Sequence, residues 1–165
     1  MQKGIKWCPA WTLGLALASL ILEALPASGA DRHVGYYYPP PSTIETYEAR
    51  ADPLEDSDRA RRIGFVVELT QQMLSNPYAP EFAVFAKGAE AEKLLIVALK
   101  DDVLDTIYRA RALFAMLTSV ARATPLFQDY GVAEVFTFFD LLAILGFEQL
   151  TISDGEGFAH QVLLR

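Results

Sequence analysis

The chain has 165 residues, 52% of them hydrophobic and 21% charged, and a net charge of −7. That length suits one domain with a real core, and the acidic balance argues against nucleic acid or an anionic membrane as partner, because both repel it. A single cysteine, Cys8, leaves no disulfide and no multi-thiolate metal centre.

Residues 1–30 read as a secretory signal peptide. Lys3 and Lys6 form a basic start, Trp11 to Leu22 is an apolar run, and Pro26-Ala27-Ser28-Gly29-Ala30 offers the small residues of a cleavage site. The apolar run is too short to hold a bilayer permanently. Ile5-Lys6-Trp7 before Cys8 does not fit a lipoprotein signal. The expected mature chain therefore starts at Asp31 in the periplasm or outside the cell, thiol-free and without stable membrane insertion. Removing Lys3, Lys6 and Glu23 from 14 basic and 21 acidic side chains leaves 12 and 20, a net charge of −8.

Residues 31–43 read as an arm. In Tyr36-Tyr37-Tyr38-Pro39-Pro40-Pro41 consecutive prolines resist helix and favour polyproline geometry. The tyrosines suit anchoring, so this stretch is a candidate interaction segment. If cleavage follows Ala30, Asp31, Arg32 and His33 form a terminal copper or nickel site, using the free amine, two amides and the imidazole.

The domain spans 44–165. Ile44 to Ala51 is a weak first strand. Asp52-Pro53 and Ser57-Asp58 are two possible starts for a first helix, with Ile63, Val66, Val67, Thr70, Met73 and Leu74 as its apolar stripe. Arg59, Arg61 and Arg62 fall largely elsewhere, and Ser75-Asn76-Pro77 ends it. Glu81 to Lys87 and Lys93 to Lys100 form a hairpin around Gly88 to Glu92. Leu94 to Leu99 is apolar on both faces, which predicts a central strand covered on both sides or using one side for contact.

Val103 to Arg122 is the second helix, capped by Asp101, Asp102 and Asp105, whose charge favours its positive end. Its stripe of Val103, Ile107, Ala110, Phe114, Leu117 and Ala121 is widened by Leu113, Met116 and Val120. A third helix covers about Val132 to Leu145. Only Glu134, Thr137 and Asp140 interrupt its apolar surface, so it is either deeply buried or meets a partner. Phe147 to Ser153 and Phe158 to Leu164 form a second hairpin, for which Asp154-Gly155-Glu156-Gly157 predicts a two-residue turn with Thr151 opposite His160.

The expected fold is α+β: a single domain with an antiparallel sheet of four to five strands and about three helices, in the order (β)αββααββ. It extends a ferredoxin-like βαββαβ order by one helix and one strand.

No catalytic constellation emerges. His160 lies on an apolar strand face without a serine motif. The Gly-x-Gly at 155–157 joins two strands, whereas a phosphate loop must open a helix. Arg111 and Arg122 share a flank of the second helix and could hold a carboxylate beside Phe136, Phe138 and Phe139; of these, Arg111, Arg122, Phe136 and Phe139 are the candidate ligand-binding set. No cofactor is expected.

Arg32 to Pro39, Asp58 to Phe65, Phe85 to Lys93 and Phe147 to Gly155 together resemble a family of small exported bacterial proteins, some of which carry the label molybdopterin-guanine dinucleotide biosynthesis protein A. The resemblance covers nearly all of the mature chain and supplies no site residues. The label implies guanylyl transfer, which needs a glycine-rich nucleotide loop where this chain has its signal-like start. The leading expectation is a non-enzymatic accessory or interaction domain with a protein partner or a second copy of itself. A binder of a small apolar or carboxylate ligand comes next, and the transferase last.

Overall fold

A computed structural model describes residues 39–124, 127–128 and 131–165; Asp31 to His33 and Tyr36 to Tyr38 lie outside the described residues. The elements are β1 (Thr43–Tyr47), α1 (Arg59–Leu74), β2 (Phe82–Lys87), β3 (Lys93–Ala98), α2 (Ile107–Arg122), α3 (Phe138–Ile144), β4 (Gln149–Ser153) and β5 (Ala159–Leu164). Among the described residues the domain is α+β, with the three helices given and one five-stranded sheet, as the sequence predicts.

The sheet order is β1-β5-β4-β3-β2. Both hairpins, β2/β3 and β4/β5, are antiparallel, but β3/β4 and β1/β5 are parallel. The sheet is therefore mixed rather than antiparallel throughout. Helices α2 and α3 return the chain to the end of the sheet where β3 began, and a strand starting there runs parallel. The ferredoxin-like comparison fails for a related reason. That order places the first strand in the sheet interior, whereas here β4 takes the place beside β3, leaving β1 at the edge.

Alternation along the strands sorts the residues onto two faces. Val84, Leu94, Ile96, Leu150, Ile152, Val162 and Leu164 share one core with Val66 of α1, Ala110, Leu113, Phe114, Leu117 and Ala121 of α2, and Phe138, Leu141 and Leu142 of α3. All three helices thus cover the same face.

Local chemistry sets the helix ends. Of the two proposed starts for α1, Asp58 is the cap, its carboxylate accepting from the Arg61 amide at 2.8 Å. Thr106, rather than the aspartates before it, caps α2; Asp105 instead pairs with Arg109 at 3.2 Å. The third helix is shorter than its apolar pattern predicts, and residues 132–136 form turns before it. Phe138 and every residue from Asp140 to Ile144 are buried, so α3 is core and not a partner face.

The second hairpin departs from its predicted register. Thr151 opposes Gln161, and His160 opposes Ile152. The connection is longer than two residues because the Asp154 carboxylate accepts from the amides of Glu156, Gly157 and Phe158 at 2.8–3.0 Å, with Gly155 at a φ of +84°. Burial works to raise the Asp154 pKa, but these amide bonds outweigh it and hold the carboxyl below its ordinary value. A one-residue shift moves a side chain to the other face. His160 accordingly lies with Ile152 toward the helices rather than with Thr151.

Arg62 also departs from its expected exposed position. It is buried, donating to the carbonyls of Glu90 (2.9 Å), Ser57 (2.8 Å) and Gly146 (3.2 Å). It thereby ties the start of α1 to two loops. Gly146 has a φ of +79°, and a Cβ there would stand 2.5 Å from the guanidinium, so the close approach needs glycine.

Candidate functional site

Among the described residues, an apolar groove of about 610 Å³ lies between the C-terminal halves of α1 and α2 and the start of β2. Helix α1 contributes Leu69, Gln72 and Met73. The chain leaving it is stopped by Pro77 and returns through Tyr78-Ala79-Pro80 into Phe82. Helix α2 closes the other side with Met116, Leu117 and Val120. Tyr78 is 83% exposed, Met116 49% and Val120 42%. Lys100 stands at the rim, 3.8 Å from Glu81 across a solvent-exposed pair. Such a pair constrains little, so the ammonium is available to an anionic group.

A second feature is polar and buried. Asp140 is 0% exposed at the first turn of α3. Its carboxylate accepts from the Tyr47 hydroxyl (2.9 Å), the Thr137 amide (2.7 Å), the Thr137 hydroxyl (3.0 Å) and the Arg50 amide (3.0 Å). The Arg50 guanidinium lies 3.5 Å away and also donates to the Val135 carbonyl. Burial, and then the neighbouring carboxylate, hold the Tyr47 phenol above its ordinary pKa, which keeps it a donor. With its acceptor positions filled by the domain itself, Asp140 acts as a structural tie between β1 and α3.

The third feature centres on His160 of β5, which is fully buried and stands beside Thr43 of β1. Nδ1 lies 2.7 Å from the Thr43 hydroxyl, and Nε2 lies 3.8 Å from Glu45, beyond hydrogen-bond reach. Arg111 holds the other Glu45 oxygen at 2.7 Å. Burial lowers the His160 pKa, the Glu45 charge opposes that, and Arg111 adds to it. The Phe114 ring stands 6.0 Å from the imidazole. A hydroxyl, an imidazole and a carboxylate lie in a row, but the last link is too long to orient the ring as a catalytic triad requires.

The predicted ligand residues do not surround one cavity. Arg111 is engaged with Glu45. Arg122 donates to the carbonyls of Phe136 (3.4 Å) and Glu134 (3.3 Å). Phe139 packs between Tyr47 and Phe114, each with ring centroids 4.9 Å away, and Phe138 is core. Phe136 lines a small apolar cavity of about 230 Å³ with Leu54, Phe127, Val132 and Ile144. Of the arm, Pro39 and Pro41 are half-buried and Pro40 is exposed. Among the described residues no group of three or more His, Cys, Asp or Glu side chains could hold a metal, and no helix is long and apolar enough to cross a membrane.

Sequence reasoning missed the groove because it assigned Met116 and Val120 to the buried stripe of α2, and both are exposed in large part. The available signal was excess width: an apolar stripe broader than one contact face needs leaves its margin outside the core. Comparisons with protein-family models, with curated proteins and with solved structures return no match.

Proposed function

We propose that the protein is an exported, non-enzymatic interaction domain that receives an apolar group of a protein partner in the groove between α1 and α2. The observation that carries this reading is the groove itself: an apolar recess flanked by exposed Met116, Val120 and Tyr78. Methionines adapt to differently shaped apolar partners, and an exposed tyrosine beside a recess suits anchoring. A second reading, a small apolar ligand with a carboxylate, draws on two further observations. The volume lies in the range of small-molecule sites, and Lys100 offers a cation at the rim. Guanylyl transfer rests on the resemblance alone.

The test uses the whole chain with an apolar anionic probe, anilinonaphthalene sulfonate, followed by fluorescence. Val120→Lys should weaken probe binding at least tenfold, while Tyr108→Lys, on the exposed first turn of α2, leaves it unchanged. Both positions face solvent, so urea midpoints should move little. Equal binding by the Val120 variant and the parent would overturn the groove as the site. Native mass spectrometry of the protein isolated from its own source separates the two readings, since a retained small molecule adds a few hundred daltons and a polypeptide adds thousands.

A further inference from the structure

Among the described residues β1 is an edge strand paired with β5, and Thr43 to Thr46 are all exposed. Its two halves are held by different chemistry. In the C-terminal half, the Tyr47 hydroxyl and the Arg50 amide bind the buried carboxylate of Asp140, and the Ala49 amide donates to the Arg165 carbonyl at 2.6 Å. In the N-terminal half, β1 meets the imidazole of His160, which is 0% exposed. Both ring nitrogens have neighbours on β1. Nδ1 lies 2.7 Å from the Thr43 hydroxyl, and Nε2 lies 3.8 Å from Glu45 without a hydrogen bond. A neutral ring can leave Nε2 bare as an acceptor. A protonated ring places a donor on both nitrogens, and Nε2 then has no described acceptor within bonding reach.

We propose that His160 is an acid-operated latch: protonation of its ring releases residues 42–45 of β1 from β5, while Asp140 keeps the C-terminal half of the strand in place. Burial opposes the charged ring, the Glu45 charge on β1 favours it, and Arg111 of α2 opposes it. Glu45 does not rescue the cation. Its other oxygen is held by Arg111 at 2.7 Å, and its side chain is 46% exposed, so water screens the remaining attraction. The other neighbours bring no charge: Ile152 of β4 pairs with His160, and the Phe114 ring of α2 stands 6.0 Å away. When residues 42–45 leave, both ring nitrogens reach water, and the ring takes up its proton near its ordinary value of about 6.5. Falling pH therefore favours the released form. The release is local because the ties of this half are few. The Ser42 amide and hydroxyl both donate to the Ala159 carbonyl at 2.8 Å; the rest are the Thr43–His160 contact and the exposed Glu45–Arg111 pair. Exposed elements with few buried contacts open first. Release bares the backbone edge of β5 at Ala159 to Gln161, so that acid exposes a strand edge that neutral pH keeps paired.

The test is amide hydrogen exchange of the whole chain, read by NMR at pH 7.5 and pH 5.5 and corrected for the intrinsic pH dependence of exchange. The Ser42 amide reports on the N-terminal half of β1 and the Ala49 amide on the C-terminal half. The Leu164 amide, bound to the Glu148 carbonyl at 2.9 Å, reports on the pairing of β5 with β4. The opening constant at Ser42 should rise about fivefold at the lower pH; one proton taken up near pH 6.5 allows at most about tenfold. Ala49 and Leu164 should stay level. His160→Gln, which keeps a polar side chain beside Thr43, should abolish the rise at Ser42. Exchange at Ser42 that is unchanged or slower in acid would overturn the proposal. An equal rise at Ala49 and Leu164 would overturn it in favour of general loosening, and this comparison needs no variant. A rise at Ser42 that persists in His160→Gln would overturn His160 as the latch.

Discussion

Replacing Asp140 by alanine removes the acceptor for two backbone amides, Arg50 and Thr137, and for the hydroxyls of Tyr47 and Thr137. Each hydrogen bond to a charged group contributes about 1.5–3 kcal/mol, and each donor left without a partner costs about 1–3 kcal/mol. These contributions are not additive. Tyr47 is half-buried and Arg50 exposed, so water rescues part of the loss. Breaking a buried charged network costs about 3–5 kcal/mol in comparable cases. We expect about 4 kcal/mol, a large share of the roughly 5–15 kcal/mol typical of a domain. With a urea slope of about 1.5 kcal/mol/M, the midpoint falls by about 2.7 M. Asp140→Asn keeps one oxygen but turns an amide toward the donor array, and should cost about 2 kcal/mol. Tyr47→Phe removes one bond and should cost about 1 kcal/mol. Equilibrium urea unfolding followed by circular dichroism gives all three values. An Asp140→Ala protein within 1 kcal/mol of the parent would refute the view that this carboxylate ties β1 to α3.

Other expectations follow from the same structure. The His160 pKa is lowered mainly by burial, so the unfolded chain takes up a proton that the native one resists as the pH falls below about 6.5. Its contribution to stability is intact above that value and is lost as the pH drops through the lowered native pKa. The urea midpoint should decline on acidification from pH 7, and His160→Gln should flatten that decline; an unchanged profile would rule His160 out as its source. The protein should show no magnesium-dependent rise in melting temperature with GTP, and a clear rise would revive guanylyl transfer. If signal peptidase cuts after Ala30, the Asp31-Arg32-His33 terminus should bind one Cu(II) even in urea, seen by visible absorption. Mass spectrometry showing any other first residue would end that expectation.

Much of the domain was legible from local signals. Asp58, Ser75 and the Asn76-Pro77 stop bound α1 because caps and prolines act within a turn of where they sit. The β2/β3 hairpin and the strand character of Leu94 to Ala98 were also local. What was not legible depends on residues far apart in the chain. The parallel pairing of β3 with β4 depends on where α2 and α3 return the chain, which periodicity does not encode. His160 faces Ile152 rather than Thr151 because the side chain of Asp154 captures three amides and lengthens a turn by one residue. Arg62 looked like a solvated cation until folding gathered the carbonyls of Ser57, Glu90 and Gly146 around it. Met116 and Val120 looked like core because composition records hydrophobicity and not what stands opposite. The amino-acid sequence by itself determined the elements, their caps and the apolar stock available for burial. Only the tertiary structure decided which part of that stock faces inward and which part lines a groove, because burial depends on partners brought together from distant segments.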